Sequence, residues 1–149
     1  MTTHVNMLDR EEALASFHHR YPLLFARKIG LECGVGWNFL LDEAFFSLED
    51  EIQRGLECGD WFPHPPQRGH PLNHPPAVGW PHAEQIKEKF GSLRIYLSHH
   101  TPELDAAIRL AEERADRTCD QCGEPGSLIP RGWMRVRCAH HIDRRLGEP

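Results

Sequence analysis

The sequence predicts an α+β fold, with helices packed on a small antiparallel sheet and a zinc ribbon at the C-terminal end. Three observations carry that expectation. Apolar residues recur at helical spacing in three stretches, and two short alternating runs, Ile86 to Phe90 and Leu93 to Leu97, flank Gly91. The C-terminal stretch holds Cys119, Cys122, Cys138 and His141, two pairs each spaced by two residues with fifteen residues between them. A period of 3.6 marks amphipathic helix and a period of 2 marks a half-buried strand, while paired Cys-x-x-Cys and Cys-x-x-His turns bring four ligands to one ion.

Asp9 followed by Glu12 forms a capping-box pattern ahead of Ala13, Leu14 and Phe17, and the run stops at Tyr21-Pro22, where proline withholds its N–H. After Leu23, Leu24 and Phe25 comes Leu-Glu-Cys-Gly-Val-Gly-Trp, two glycines around a turn. A second helix follows. Trp37, Leu40, Leu41, Ala44, Phe45, Leu48 and Ile52 make one apolar stripe opposite Asp42, Glu43, Glu49 and Asp50. The apolar face is core, and the acidic face is expected to stand available to a partner.

Residues 63–82 hold seven prolines and four histidines, which excludes a helix or a central strand because proline fixes φ and lacks a donor. The expectation is an extended loop of polyproline type with exposed histidines. A second metal site from His64, His70, His74 and His82 is the alternative; no rigid element fixes their geometry and no carboxylate lies among them. Next, Ile86, Glu88 and Phe90 alternate, Gly91-Ser92 interrupts, and Leu93, Ile95 and Leu97 alternate again, a hairpin or a bulged strand. Thr101-Pro102-Glu103 supplies an N-cap and a first-turn proline to a third helix, whose stripe of Leu104, Ala107, Ile108, Ala111 and Ala115 ends just before Cys119.

In the ribbon, Ser127 to Pro130 and Trp133 to Arg137 read as two short strands joined at Arg131-Gly132, and Gly123 follows the first cysteine pair, where a tight knuckle favours positive φ. All four ligand positions are filled by protein, so the expected cofactor is a structural zinc ion with no open coordination position. His140 is the alternative to His141. The chain thus divides into an α+β domain, 1–118, and a zinc-ribbon module, 119–149. The remaining cysteines, Cys33 and Cys58, are expected in the core.

At 149 residues the chain can bury roughly 70% of its unfolded surface. No apolar run approaches the roughly 20 residues that span a bilayer, and the N-terminal residues lack an apolar signal segment, so the expectation is a cytoplasmic protein without a membrane partner. The net charge of −5 is uneven: residues 1–60 carry 5 basic and 11 acidic side chains. Phosphate neutralisation dominates nucleic-acid affinity and demands a basic face. Only the ribbon offers one, through Arg131, Arg135, Arg137, Arg144 and Arg145.

Three stretches, Tyr21 to Trp37, Gln85 to Leu97 and the terminal ribbon, together resemble a family of uncharacterised bacterial and phage-borne proteins. Its marks are a Cys-Gly-x-Gly-Trp segment, a Lys-Glu-Lys-Phe-Gly-x-Leu-Arg strand and a Cys-x-x-Cys/Cys-x-x-His ribbon. The resemblance implies the fold and the metal rather than an activity. Val35 stands between the two glycines where the resemblance leads one to expect an acid.

Glycine-rich phosphate loops and dinucleotide fingerprints are absent. The expected function is therefore non-enzymatic: a zinc-stabilised binding protein acting on a protein partner, a basic one given the acidic helix face, in the manner of an immunity protein or a phage-encoded inhibitor. A nucleic-acid-binding ribbon and a metalloenzyme using the histidine loop are the alternatives.

Overall fold

In a computed structural model the described residues are 9–61, 78–130 and 132–142. His64, His70, His74, Arg131, Arg144 and Arg145 lie outside them. The elements are α1 (Arg10–Arg20), β1 (Leu31–Glu32), a 3₁₀ turn (Val35–Trp37), α2 (Asn38–Cys58), β2 (Ala83–Lys89), β3 (Ser92–Leu97), α3 (Pro102–Ala115), β4 (Ser127–Ile129) and β5 (Arg135–Arg137). The α+β architecture read from the sequence is the architecture found.

Local chemistry sets the element ends. Asp9 caps α1 by accepting from the Glu12 N–H, and Thr101 caps α3 by accepting from the Leu104 N–H. Helix α2 stops at Gly59, whose φ of 80° is the left-handed conformation that closes helix C-termini cheaply only for glycine.

Strands β2 and β3 form an antiparallel hairpin with Ile86 opposite Ile95 and Glu88 opposite Leu93, and β1 adds a short parallel strand on the other side of β2. That parallel strand has no counterpart in the sequence reading, because two residues carry no periodicity. A single core joins the predicted α2 stripe, buried from Trp37 to Ile52, to Ile86, Leu93, Ile95 and Leu97 of the sheet and to Leu104, Ile108, Ala111 and Ala115 of α3. Phe45 anchors it, meeting Phe17 and Phe25 edge-on at centroid distances of 5.0 and 5.2 Å.

Three expectations are corrected. Phe90 does not continue the inward alternation of Ile86 and Glu88: Phe90 and Gly91 are the two-residue hairpin loop, and the ring is 69% exposed. Cys58 is exposed at the end of α2, whereas Cys33 is buried as expected. His82, placed among exposed loop histidines, is buried and bonds through Nδ1 with the Ser98 hydroxyl at 3.1 Å. Among the described residues no helix is long and apolar enough to cross a membrane.

Candidate metal centre

Cys119, Cys122, Cys138 and His141 converge, their ligand atoms all within 4.8 Å of one another. His140 is not in the group, so the two-residue gap selects His141. A tetrahedron with metal–sulfur bonds of about 2.3 Å has edges near 3.8 Å. The Cys122–Cys138 sulfurs lie 3.7 Å apart and Cys119 Sγ lies 3.8 Å from His141 Nδ1, which match those edges; Cys138 Sγ to His141 Nδ1 is tighter at 3.1 Å. The donor set therefore fits a single tetrahedral ion.

Each knuckle is shaped by its backbone. In the first, the Gly123 N–H returns to Cys119 O at 3.0 Å with Gly123 at φ 81°, as its position predicts, and the Glu124 N–H donates to Cys122 Sγ at 3.5 Å. In the second, the His141 N–H donates to Cys138 O at 3.1 Å. Strands β4 and β5 pair antiparallel and carry the second knuckle back to the first. A partly buried ion pair ties the two together: Arg137 Nε donates to Asp120 Oδ1 at 2.6 Å, while Arg137 Nη1 reaches His141 O at 3.1 Å. At Cys138 burial, which raises the pKa, is outweighed by hydrogen bonds from His141 and the His140 N–H, and the thiol is brought down to about 6. Burial pushes the Cys122 thiol up to about 11.

The ribbon is seated on the body by the other two stretches that carried the resemblance. Gly34 and Gly36 lie so close to the first knuckle that a Cβ on Gly34 would stand 2.1 Å from Asp120 O, and one on Gly36 2.3 Å from Cys119 O and 2.7 Å from Cys122 N. The Gly36 N–H donates to Asp120 O at 2.9 Å, and the buried Trp37 Nε1 donates to Thr118 O at 2.9 Å. On the other side, Gly91 packs against Leu128, and Glu88 pairs with Arg135. The two glycines of the Cys-Gly-Val-Gly-Trp turn are thus required by the approach of another backbone. The sequence signal was there in the closely spaced glycines, but nothing local says what approaches them.

The other candidate residues have different surroundings. Asp42 accepts from Arg20 at 2.7 Å and from the Tyr21 hydroxyl, and burial together with Asp42 pushes the Tyr21 pKa up. Glu43 pairs with Arg114 of α3. Glu49, half-buried, accepts from the backbone N–H groups of Leu23 and Leu24 at 3.1 and 2.8 Å, and burial raises its pKa against those bonds. Asp50 alone of the four is exposed without an ion-pair partner among the described residues. The acidic face is therefore largely committed within the fold rather than standing free. Arg135 is paired with Glu88 and lies over the Trp133 ring, and Arg137 is spent on Asp120, so neither described ribbon arginine is a free cation. Burial pushes the Cys33 thiol up to about 12, which keeps it protonated and poorly nucleophilic.

No protein-family profile, no curated protein and no solved structure matches the chain.

Proposed function

We propose that this is a non-enzymatic binding protein that acts on a protein partner and whose ribbon is held by one structural zinc ion. The observation that carries the reading is the closed Cys119, Cys122, Cys138 and His141 set, with a Cys122–Cys138 sulfur separation suited to bonds of about 2.3 Å. Four protein ligands leave no position for a water or a substrate, and three thiolates with one imidazole favour zinc over magnesium or calcium. The metal holds two knuckles, β4, β5 and, through Gly36 and Trp37, the seating of the body. A small protein spends such a staple on shape, and shape serves recognition.

An immunity-type or phage-encoded inhibitor role is the specific form of this proposal, and it changes in one respect. With Asp42, Glu43 and Glu49 engaged internally, the acidic helix face is no longer the surface of choice. Tagged protein used to capture partners from its native host tests the reading: a stoichiometric protein that is retained by zinc-loaded chain and lost by the Cys138→Ser variant supports it, and co-purifying nucleic acid or turnover of a small substrate would overturn it.

A further inference from the structure

The five cysteines differ in what an oxidant can reach. Cys33 is buried, and Cys119 and Cys138 are only 0% and 7% exposed. Cys58 and, in part, Cys122 are open to solvent. These two are held well apart. Cys58 closes α2, whereas Cys122 lies against Gly36 just ahead of that helix, its N standing 2.7 Å from where a Gly36 Cβ would be. A helix of 21 residues is about 30 Å long, so Cys58 is far beyond disulfide reach of Cys122. Inside the cluster the distance is short: the Cys122 and Cys138 sulfurs are 3.7 Å apart.

A metal-bound thiol is deprotonated outright, and thiolate character, access and a resolving cysteine together make a sulfur sensitive to oxidation. Cys122 combines all three. Its shielding is slight, since the Glu124 N–H reaches its sulfur at 3.5 Å. Of the two thiolates that could resolve it, Cys119 is pinned on both sides. The Cys119 N–H donates to Glu124 O at 2.7 Å, and its carbonyl accepts from the Gly123 N–H at 3.0 Å while crowding Gly36. Cys138 follows β5 in the second knuckle, where its carbonyl accepts from the His141 N–H at 3.1 Å. It is the freer of the two to move.

We propose that the metal centre is also a redox switch: a two-electron oxidant of the peroxide class enters at Cys122, a Cys122–Cys138 disulfide forms, and the zinc ion is released. This adds regulation to the zinc-stapled reading and rests on it. The Cys122 thiolate attacks one peroxide oxygen, the O–O bond breaks, and a sulfenic acid and a hydroxide result. The Cys138 thiolate then attacks that sulfur, forming the S–S bond and expelling the second hydroxide. Solvent protons turn both hydroxides into water, so the peroxide takes up the two electrons that the two thiolates lose. The sulfurs close from 3.7 Å to about 2.05 Å. With two of its four ligands gone, the ion leaves as the dication. The body grips this same knuckle through the Gly36 N–H on Asp120 O and the Trp37 indole on Thr118 O, each at 2.9 Å. Drawing Cys122 toward Cys138 loosens that seat, so oxidation alters the shape offered to a partner.

The test treats the zinc-loaded full chain, carrying Cys58→Ser to remove the exposed thiol outside the centre, with hydrogen peroxide. Stoichiometric zinc release to a chromogenic chelator is expected, with a mass loss of two hydrogens, a peptide map joining Cys122 to Cys138, and faster hydrogen exchange at the Gly36 N–H. Dithiothreitol with added zinc should reverse all four. Cys122→His keeps four ligands that zinc accepts and should release the ion at least about tenfold more slowly. Release from zinc-loaded Cys122→His as fast as from its parent would overturn the inference. So would a disulfide between other cysteines, zinc loss through sulfinic acid without a disulfide, unchanged exchange at Gly36, or zinc retained at peroxide levels that oxidise Cys58 in the wild-type chain. The disulfide map decides even where the His variant fails to load. A chain that never holds zinc refutes the staple itself, whereas zinc held and not released refutes the switch alone.

Discussion

Replacing Gly36 by alanine should damage the protein far more than its place in a short 3₁₀ turn suggests. The new Cβ would lie 2.3 Å from Cys119 O, 2.6 Å from Asp120 C and 2.7 Å from Cys122 N, all backbone atoms of the metal knuckle that cannot swing aside. Separation of the two segments would also lengthen the Gly36 N–H to Asp120 O bond and the Trp37 Nε1 to Thr118 O bond, each 2.9 Å. Overpacking costs about 1–3 kcal/mol, and a strained or lost hydrogen bond adds roughly 1 kcal/mol, so about 3 kcal/mol is expected. For a chain of this length that lowers the melting temperature by about 6–12 °C. If the cost falls wholly on the docked, metal-loaded form, zinc affinity drops about 100-fold. Thermal melts and chelator competition measure both. Gly30→Ala is the control, since nothing lies within 4 Å of its added Cβ. A Gly36→Ala protein within about 0.5 kcal/mol of wild type, binding zinc as tightly, would refute the claim that the body cradles the knuckle.

Three further outcomes follow from the same contacts. Glu49→Ala should destabilise by about 2 kcal/mol, because the Leu23 and Leu24 N–H groups lose their acceptor in a half-buried setting; Asp50→Ala should stay within about 0.5 kcal/mol, and equal chemical-denaturation midpoints for the two would contradict this. Trp37→Phe keeps most of the buried ring but strands the Thr118 carbonyl, and should cost about 1–3 kcal/mol in the same assay. Zinc affinity should rise with pH: binding displaces the Cys122 proton, held up to a pKa of about 11, so affinity falls at least about tenfold per unit of acidification near neutrality, and more steeply below about 6, where Cys138 also gains a proton. A pH-independent affinity in competition titrations between pH 5 and 8 would rule that out.

The legible parts of the sequence were those with local signals. The α2 stripe from Trp37 to Ile52 is buried as its spacing requires, Asp9 and Thr101 cap their helices, and the two-residue gaps placed Cys119, Cys122, Cys138 and His141 on one ion site. What could not be read depends on partners distant in the chain. Glu49 looks like any solvated acid until residues 23 and 24, on the chain entering β1, are brought against α2. Gly34 and Gly36 look like turn glycines, yet Gly34 has an ordinary φ of −74°, and its lack of a side chain matters only because Asp120 arrives from 86 positions away. Phe90 was misassigned for a different reason. Period-2 alternation continued through it, and the tight loop that ends the strand carries Phe in place of the usual Asn.

The central claim is a zinc staple on which the ribbon and its seating depend, and elemental analysis of untagged protein coupled to a thermal melt tests it most directly. The account predicts one zinc per chain, its loss in Cys138→Ser, and a large fall in melting temperature on chelation, since structural zinc contributes on the order of 10 kcal/mol or more in isolated fingers. Protein purified without zinc, or a Cys138→Ser variant with unchanged metal content and an unchanged melt, would contradict it.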